Sequence, residues 1–143
     1  MSLGVVIIKK YLAPILATGL LTLSGIAFAQ IPETQHSNGV AYISGGVGED
    51  EALAMVVESK QWPLMLELSQ LENGRGVWIF GAQIKITNDQ KKVIFDAISE
   101  GPYILINLEP GTYSIEAAYQ GVVQKQSVAV KVGQNQKLSI FWK

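Results

Sequence analysis

Apolar and polar positions follow two different periods along this chain, and the change falls near Pro63. Before it, over residues 49–59, Leu53, Met55, Val56 and Val57 cluster on one broad face at a spacing near 3.6. Glu49, Asp50 and Glu51 open that stretch and Lys60 closes it, as a helix dipole prefers. The pattern predicts a helix that packs by Leu53 and Val56 and stops at Pro63. After Pro63 the period is 2. Leu64, Leu66 and Leu68 alternate with Met65, Glu67 and Ser69, the signature of a strand with one face on a core.

The same reading predicts strands from Val77 to Phe80, through Ala82, Ile84 and Ile86 with a bend at Gly81, and through Val93, Phe95 and Ala97. Further strands are expected over 102–108, over 112–119, through Val128, Val130 and Val132, and through Leu138, Ile140 and Trp142. A short apolar piece at 40–43 precedes the helix. Turns are expected at 72–76, at 88–92, at Gln120-Gly121 and at Gly133-Gln134-Asn135. Glu109-Pro110-Gly111-Thr112 reads as a hairpin turn, with proline presetting one φ and glycine accepting a positive one. Six to eight short strands at this spacing predict an antiparallel meander closed into a sandwich or small barrel.

Residues 1–29 have a different character. Lys9 and Lys10 precede an apolar run over 11–28, and Ala27-Phe28-Ala29 has the small-x-small form of a signal-peptidase site. Cleavage is expected before Gln30, placing the product in the periplasm or outside the cell; uncleaved, the run would serve as a membrane anchor, the one membrane contact the sequence suggests. Residues 30–39 read as a flexible polar tail and 40–143 as a single β-sandwich domain. Loss of Lys9 and Lys10 takes the formal charge from −1 to −3, and the remaining cations are scattered, which argues against a nucleic-acid partner. The chain has no cysteine. That excludes a disulfide framework, a thiolate nucleophile and a lipidated cysteine, and an exported cysteine-free domain fits a bacterial envelope.

Gly81-Ala82-Gln83-Ile84, the turn Asn88-Asp89-Gln90-Lys91-Lys92, Gly101-Pro102-Tyr103-Ile104-Leu105 and the run from Leu108 to Tyr113 together resemble the carboxypeptidase regulatory-like domain. The resemblance spans 81–142 and implies a mainly β, antiparallel, seven-stranded prealbumin-like (transthyretin-like) Greek-key sandwich, here with one short N-terminal helix. It also implies that Tyr103, Leu105 and Leu108 point into the core. Tyr42 to Glu51 with the helix after it is similar to small exported proteobacterial proteins carrying that domain. Hydroxyisourate hydrolases share the fold, but they use several histidines and a C-terminal Tyr-Arg-Gly-Ser motif, whereas this chain ends Phe141-Trp142-Lys143.

No catalytic, cofactor-binding or metal-binding set is assigned. The single histidine, His36, falls in the predicted tail, where it would not be held within about 3 Å of a nucleophile. Gly45-Gly46-Val47-Gly48 opens a helix as a phosphate loop would, yet three carboxylates follow in place of a lysine. Glu49, Asp50 and Glu51 leave a metal site or a small periplasmic hydrolase as the alternative activity. Trp62, Trp78 and Trp142, with Tyr42, Tyr103, Tyr113 and Tyr119, offer core packing first and an aromatic binding strip second. Glu67, Glu72, Asp89, Asp96, Glu100, Glu109 and Glu116 fall at turns or on outward faces, as solvated carboxylates do. The terminal aromatic strand has too many polar positions near it for an outer-membrane barrel wall. The expectation is a non-enzymatic binding or structural module whose sheet edge or aromatic face meets an envelope protein or a polysaccharide.

Overall fold

Short glycine turns and sheet-to-sheet crossings divide the described residues, 30–143 of this computed structural model, into ten strands and one helix. The strands are β1 (Gln35–Ser37), β2 (Val40–Gly45), β3 (Leu64–Glu72), β4 (Arg75–Trp78), β5 (Gln83–Thr87), β6 (Val93–Ile98), β7 (Tyr103–Ile106), β8 (Gly111–Tyr119), β9 (Val122–Val130) and β10 (Gln136–Trp142). Helix α1 (Glu49–Glu58) continues into one 3-10 turn, Ser59–Gln61, and Trp62 then returns to extended backbone before Pro63. The expected leader and its cleavage site lie outside the described residues.

The larger sheet has the order β1-β2-β7-β3-β10, with β4 paired to the far end of β3. The smaller has the order β6-β5-β8-β9. The mainly β, two-sheet architecture with one short helix therefore matches the sequence pattern. Its connectivity departs from the antiparallel meander of six to eight strands that the pattern predicts and from the seven strands that the resemblance implies. There are ten strands, and β10 pairs in parallel with β3, Leu138 beside Leu66 and Ile140 beside Leu68. Residues 131–135 carry the chain from one sheet to the other, so β10 arrives alongside β3 and not as the hairpin partner of β9.

Inner faces meet in one core that includes Leu64, Leu66, Leu68, Ile84, Ile86, Phe95, Ile104, Ile106, Ile115 and Ile140. A second, smaller core lies on the other face of the larger sheet. There Ala52 and Met55 of α1 cover Ile43, Met65, Tyr103 and Leu105, with Ile31 and Trp62 at the margin. This corrects two expectations. Tyr103 and Leu105 face the helix, while Ile104 and Ile106 face the sandwich. A strand in the middle of a sheet covered on both sides buries both of its faces, so alternation could not distinguish them. The helix also seats by Ala52 and Met55; Leu53 is 60% exposed and Val56 41% exposed.

Within residues 30–39, read from the sequence as a flexible polar tail, Gln35–Ser37 pair with β2. Asn38 and Gly39 both have positive φ, 50° and 82°, the geometry of a type I′ turn, and they fold β1 back onto β2. Asn73-Gly74 and Gln120-Gly121 repeat that geometry between β3 and β4 and between β8 and β9. The Pro110-Gly111 segment is a different device. β7 and β8 lie in different sheets, and Gly111 pairs with Val130 as the first residue of β8 without a positive φ. The expected hairpin is instead an arch between sheets. Tyr113 closes it by donating its hydroxyl to the Glu109 carbonyl at 2.6 Å, the bond geometry of a tyrosine corner.

Candidate functional site

Side chains join the two sheets along both of their long seams. Where β1 meets β6, the Ser37 hydroxyl donates to the Asp96 carbonyl and accepts from the Asp96 N–H, each at 2.9 Å. Gln35 adds a bond to Glu100 at 2.9 Å. Where β9 meets β10, Gln126 donates to the Ser139 carbonyl at 2.9 Å and Gln136 donates to the Ala129 carbonyl. Edge strands carry unpaired backbone groups that invite another chain, and these contacts occupy several of them.

β4 has no such cover. All four of its residues are exposed. Glu72 and Arg75 flank the two-residue turn, and the Ile79 N–H donates to the Leu68 carbonyl at 3.2 Å. Antiparallel pairing therefore directs the backbone groups of Arg75, Val77 and Ile79 toward β3 and those of Gly76 and Trp78 outward. Among the described residues β4 pairs with β3 alone. Trp78 stands opposite Ser69, and Ser69 stands opposite Phe141 on β10, so Trp78, Ser69 and Phe141 form a row on the face that also carries α1. Trp78 is 53% exposed and rests its ring on Tyr103 at a centroid distance of 5.5 Å. Leu71, Val77 and Phe80 are also exposed around this edge.

The Tyr103 hydroxyl is held above its ordinary pKa, first by burial and then by the charge and hydrogen bonding of Glu67. Glu67 is in turn 3.1 Å from Lys137. Burial also raises Tyr42 and Tyr113, with smaller effects of Glu100 on the first and of Glu109 and Asp89 on the second. These phenols remain protonated at neutral pH and serve packing and hydrogen bonding.

The residues weighed for chemistry are scattered. His36 is exposed on β1. Glu51 reaches back from the first turn of α1 and accepts the Gly46 N–H at 2.8 Å, while Glu49 and Asp50 are exposed. Among the described residues no three His, Asp or Glu side chains gather as a metal site. Glu116 pairs with Lys125 at 3.5 Å on the outer face of the smaller sheet, in a row that alternates charge from Asp96 through Lys85, Glu116 and Lys125. Cross-strand opposite charges of this kind solubilise and modestly support a sheet face. Of the seven aromatics considered, Tyr42, Tyr103, Tyr113 and Trp142 are buried, Trp62 and Tyr119 are half-buried, and Trp78 is exposed. An open cleft of about 910 Å³ lies at one end of the sandwich beside the arch, lined among others by Asn38, Asn88, Lys92, Asn107 and Glu109. Its Asn88 carboxamide oxygen already accepts the backbone N–H groups of Gln90 and Lys92.

The edge at β4 is the feature that sequence reasoning divided between a loop at 72–76 and a strand from Val77. Asn73-Gly74, with positive φ at both positions, was the signal for it. Neither the models of known protein families nor the curated proteins give a match to this chain.

Proposed function

We propose that the chain is an exported, non-enzymatic binding module of the bacterial envelope, built on a prealbumin-like sandwich, and that it takes a partner strand along β4. Two sheet orders support the fold reading. β7-β3-β10 and β6-β5-β8-β9 account for seven strands, with β1, β2 and β4 as additions, and the region of family resemblance supplies all of the seven but β3. The single observation that carries the binding reading is the open β4 edge, where Gly76 and Trp78 present outward backbone groups beside an exposed tryptophan while side chains bridge the long seams. Strand addition draws its affinity from such backbone groups and its selectivity from the side chains flanking them. A polysaccharide is the second reading, favoured by the Trp78 and Phe141 rings on one exposed row.

Gly76→Pro separates them. It removes an outward N–H that β3 does not use, a change that edge strands tolerate. Capture of a discrete protein from the periplasmic fraction by the wild type, lost in Gly76→Pro, is the expected result. Glycan-array binding that survives Gly76→Pro and disappears in Trp78→Ala would favour the polysaccharide. Capture unaffected by either change, or no binding to protein or glycan, would overturn the reading.

A further inference from the structure

Resting on the reading that β4 accepts a strand, we propose that the strand it accepts is β4 of a second copy of this chain, paired antiparallel about a two-fold axis at Val77. The segment is self-complementary. Its outward backbone groups belong to Gly76 and Trp78, which lie on either side of Val77. With Val77 opposite Val77, Gly76 of each copy faces Trp78 of the other, and each such pair exchanges two N–H···O bonds. Residues directly opposite in a sheet share a face. The large ring at Trp78 therefore meets the one β4 position that has no side chain, and the space a Cβ would occupy at Gly76 is open, with nothing within 4 Å. An aromatic side chain across from a glycine is a favourable cross-strand arrangement. Arg75 is the only charge on β4, and in this register it stands opposite Ile79 rather than opposite its own copy, so like charges do not face each other. The pairing joins the two larger sheets edge to edge and brings the exposed Leu71 and Trp78 of both copies together on one face and the two Val77 side chains together on the other.

A chain without cysteine allows a clean test. Position 77 on the axis is a non-hydrogen-bonded pair, with Cα atoms about 4.5 Å apart, inside the range that a disulfide spans. Val77→Cys, expressed from the full-length chain, is expected to form a disulfide-linked dimer under mild oxidation, whereas Val123→Cys, more exposed and on β9, is not. Gly76→Pro removes the outward N–H through which each copy bonds to Trp78 of the other, at a position where β3 loses no bond. It is expected to abolish the Val77→Cys crosslink and to convert an unmodified dimer to monomer in sedimentation, with an unchanged thermal melt. Val77→Cys that crosslinks no faster than Val123→Cys, a wild type that sediments as monomer, or a dimer untouched by Gly76→Pro would overturn the proposal. A monomeric wild type whose partner capture is still lost in Gly76→Pro would sink the self-pairing alone. Capture unaffected by Gly76→Pro would sink the binding reading beneath it.

Discussion

Tyr113 shows how much one side chain decides in this sandwich. Pro110 and Gly111 suggested a hairpin because that dipeptide suits a tight turn, but the tyrosine two residues later reverses the meaning. Its ring lies over Gly111, where an added Cβ would sit 3.4 Å from the hydroxyl, and its O–H ties back to Glu109. That is ordinary contact distance and the backbone is not left-handed, so neither space nor φ demands a glycine here. Sequence held the four residues that matter, but not the fact that the strands on either side belong to opposite sheets. Tyr113→Phe should therefore lower stability by about 0.5–1.5 kcal/mol, the net worth of one such bond. Urea unfolding checks this, and an unchanged midpoint would show that the arch does not depend on the bond. Gly101 carries the opposite constraint, since its missing Cβ position overlaps the Gly45 carbonyl between β7 and β2.

Helix α1 illustrates what an element's pattern can and cannot say. The helix was legible from residues 49–59 to within a residue, because periodicity and the acidic first turn agree with the observed Glu49–Glu58. Its buried face was not. Four apolar residues spread over more than half a turn, and only tertiary contact selects Ala52 and Met55 over Leu53 and Val56. Met55→Ala should cost about 2–5 kcal/mol as a fully buried truncation. Leu53→Ala should stay within about 0.5 kcal/mol as a surface change. Comparable losses in the two variants would contradict this seating. The strands followed the same logic: Leu64, Leu66 and Leu68 announced their inner face, whereas β7, buried on both sides, gave no alternation to read. β1 is not legible in the sequence because the mostly polar run over 30–39 outweighs the Asn38-Gly39 signal that folds it onto β2.

At the scale of the whole molecule, two sheets, a helical cover and bridged seams leave β4 as an exposed edge to whose outer side nothing among the described residues is paired. The same framework has an alkaline limit. Tyr42, Tyr103 and Tyr113 have pKa values raised above 10.0, chiefly by burial, so the folded state favours the protonated phenol. Their contribution is complete below pH 10, where the unfolded chain is also protonated, and is lost as pH rises through the higher folded values. Unfolding free energy should fall as pH rises above 10, and fall less in Tyr103→Phe; equal slopes would show that Tyr103 does not titrate with unfolding. The central claim, that β4 is where this protein meets its partner, is tested most directly by a photo-crosslinking residue placed at Val77 in living cells. A discrete protein adduct at that position, absent when the same residue replaces Val123, is the expected result. No adduct at Val77, or adducts of equal yield at both positions, would contradict the account.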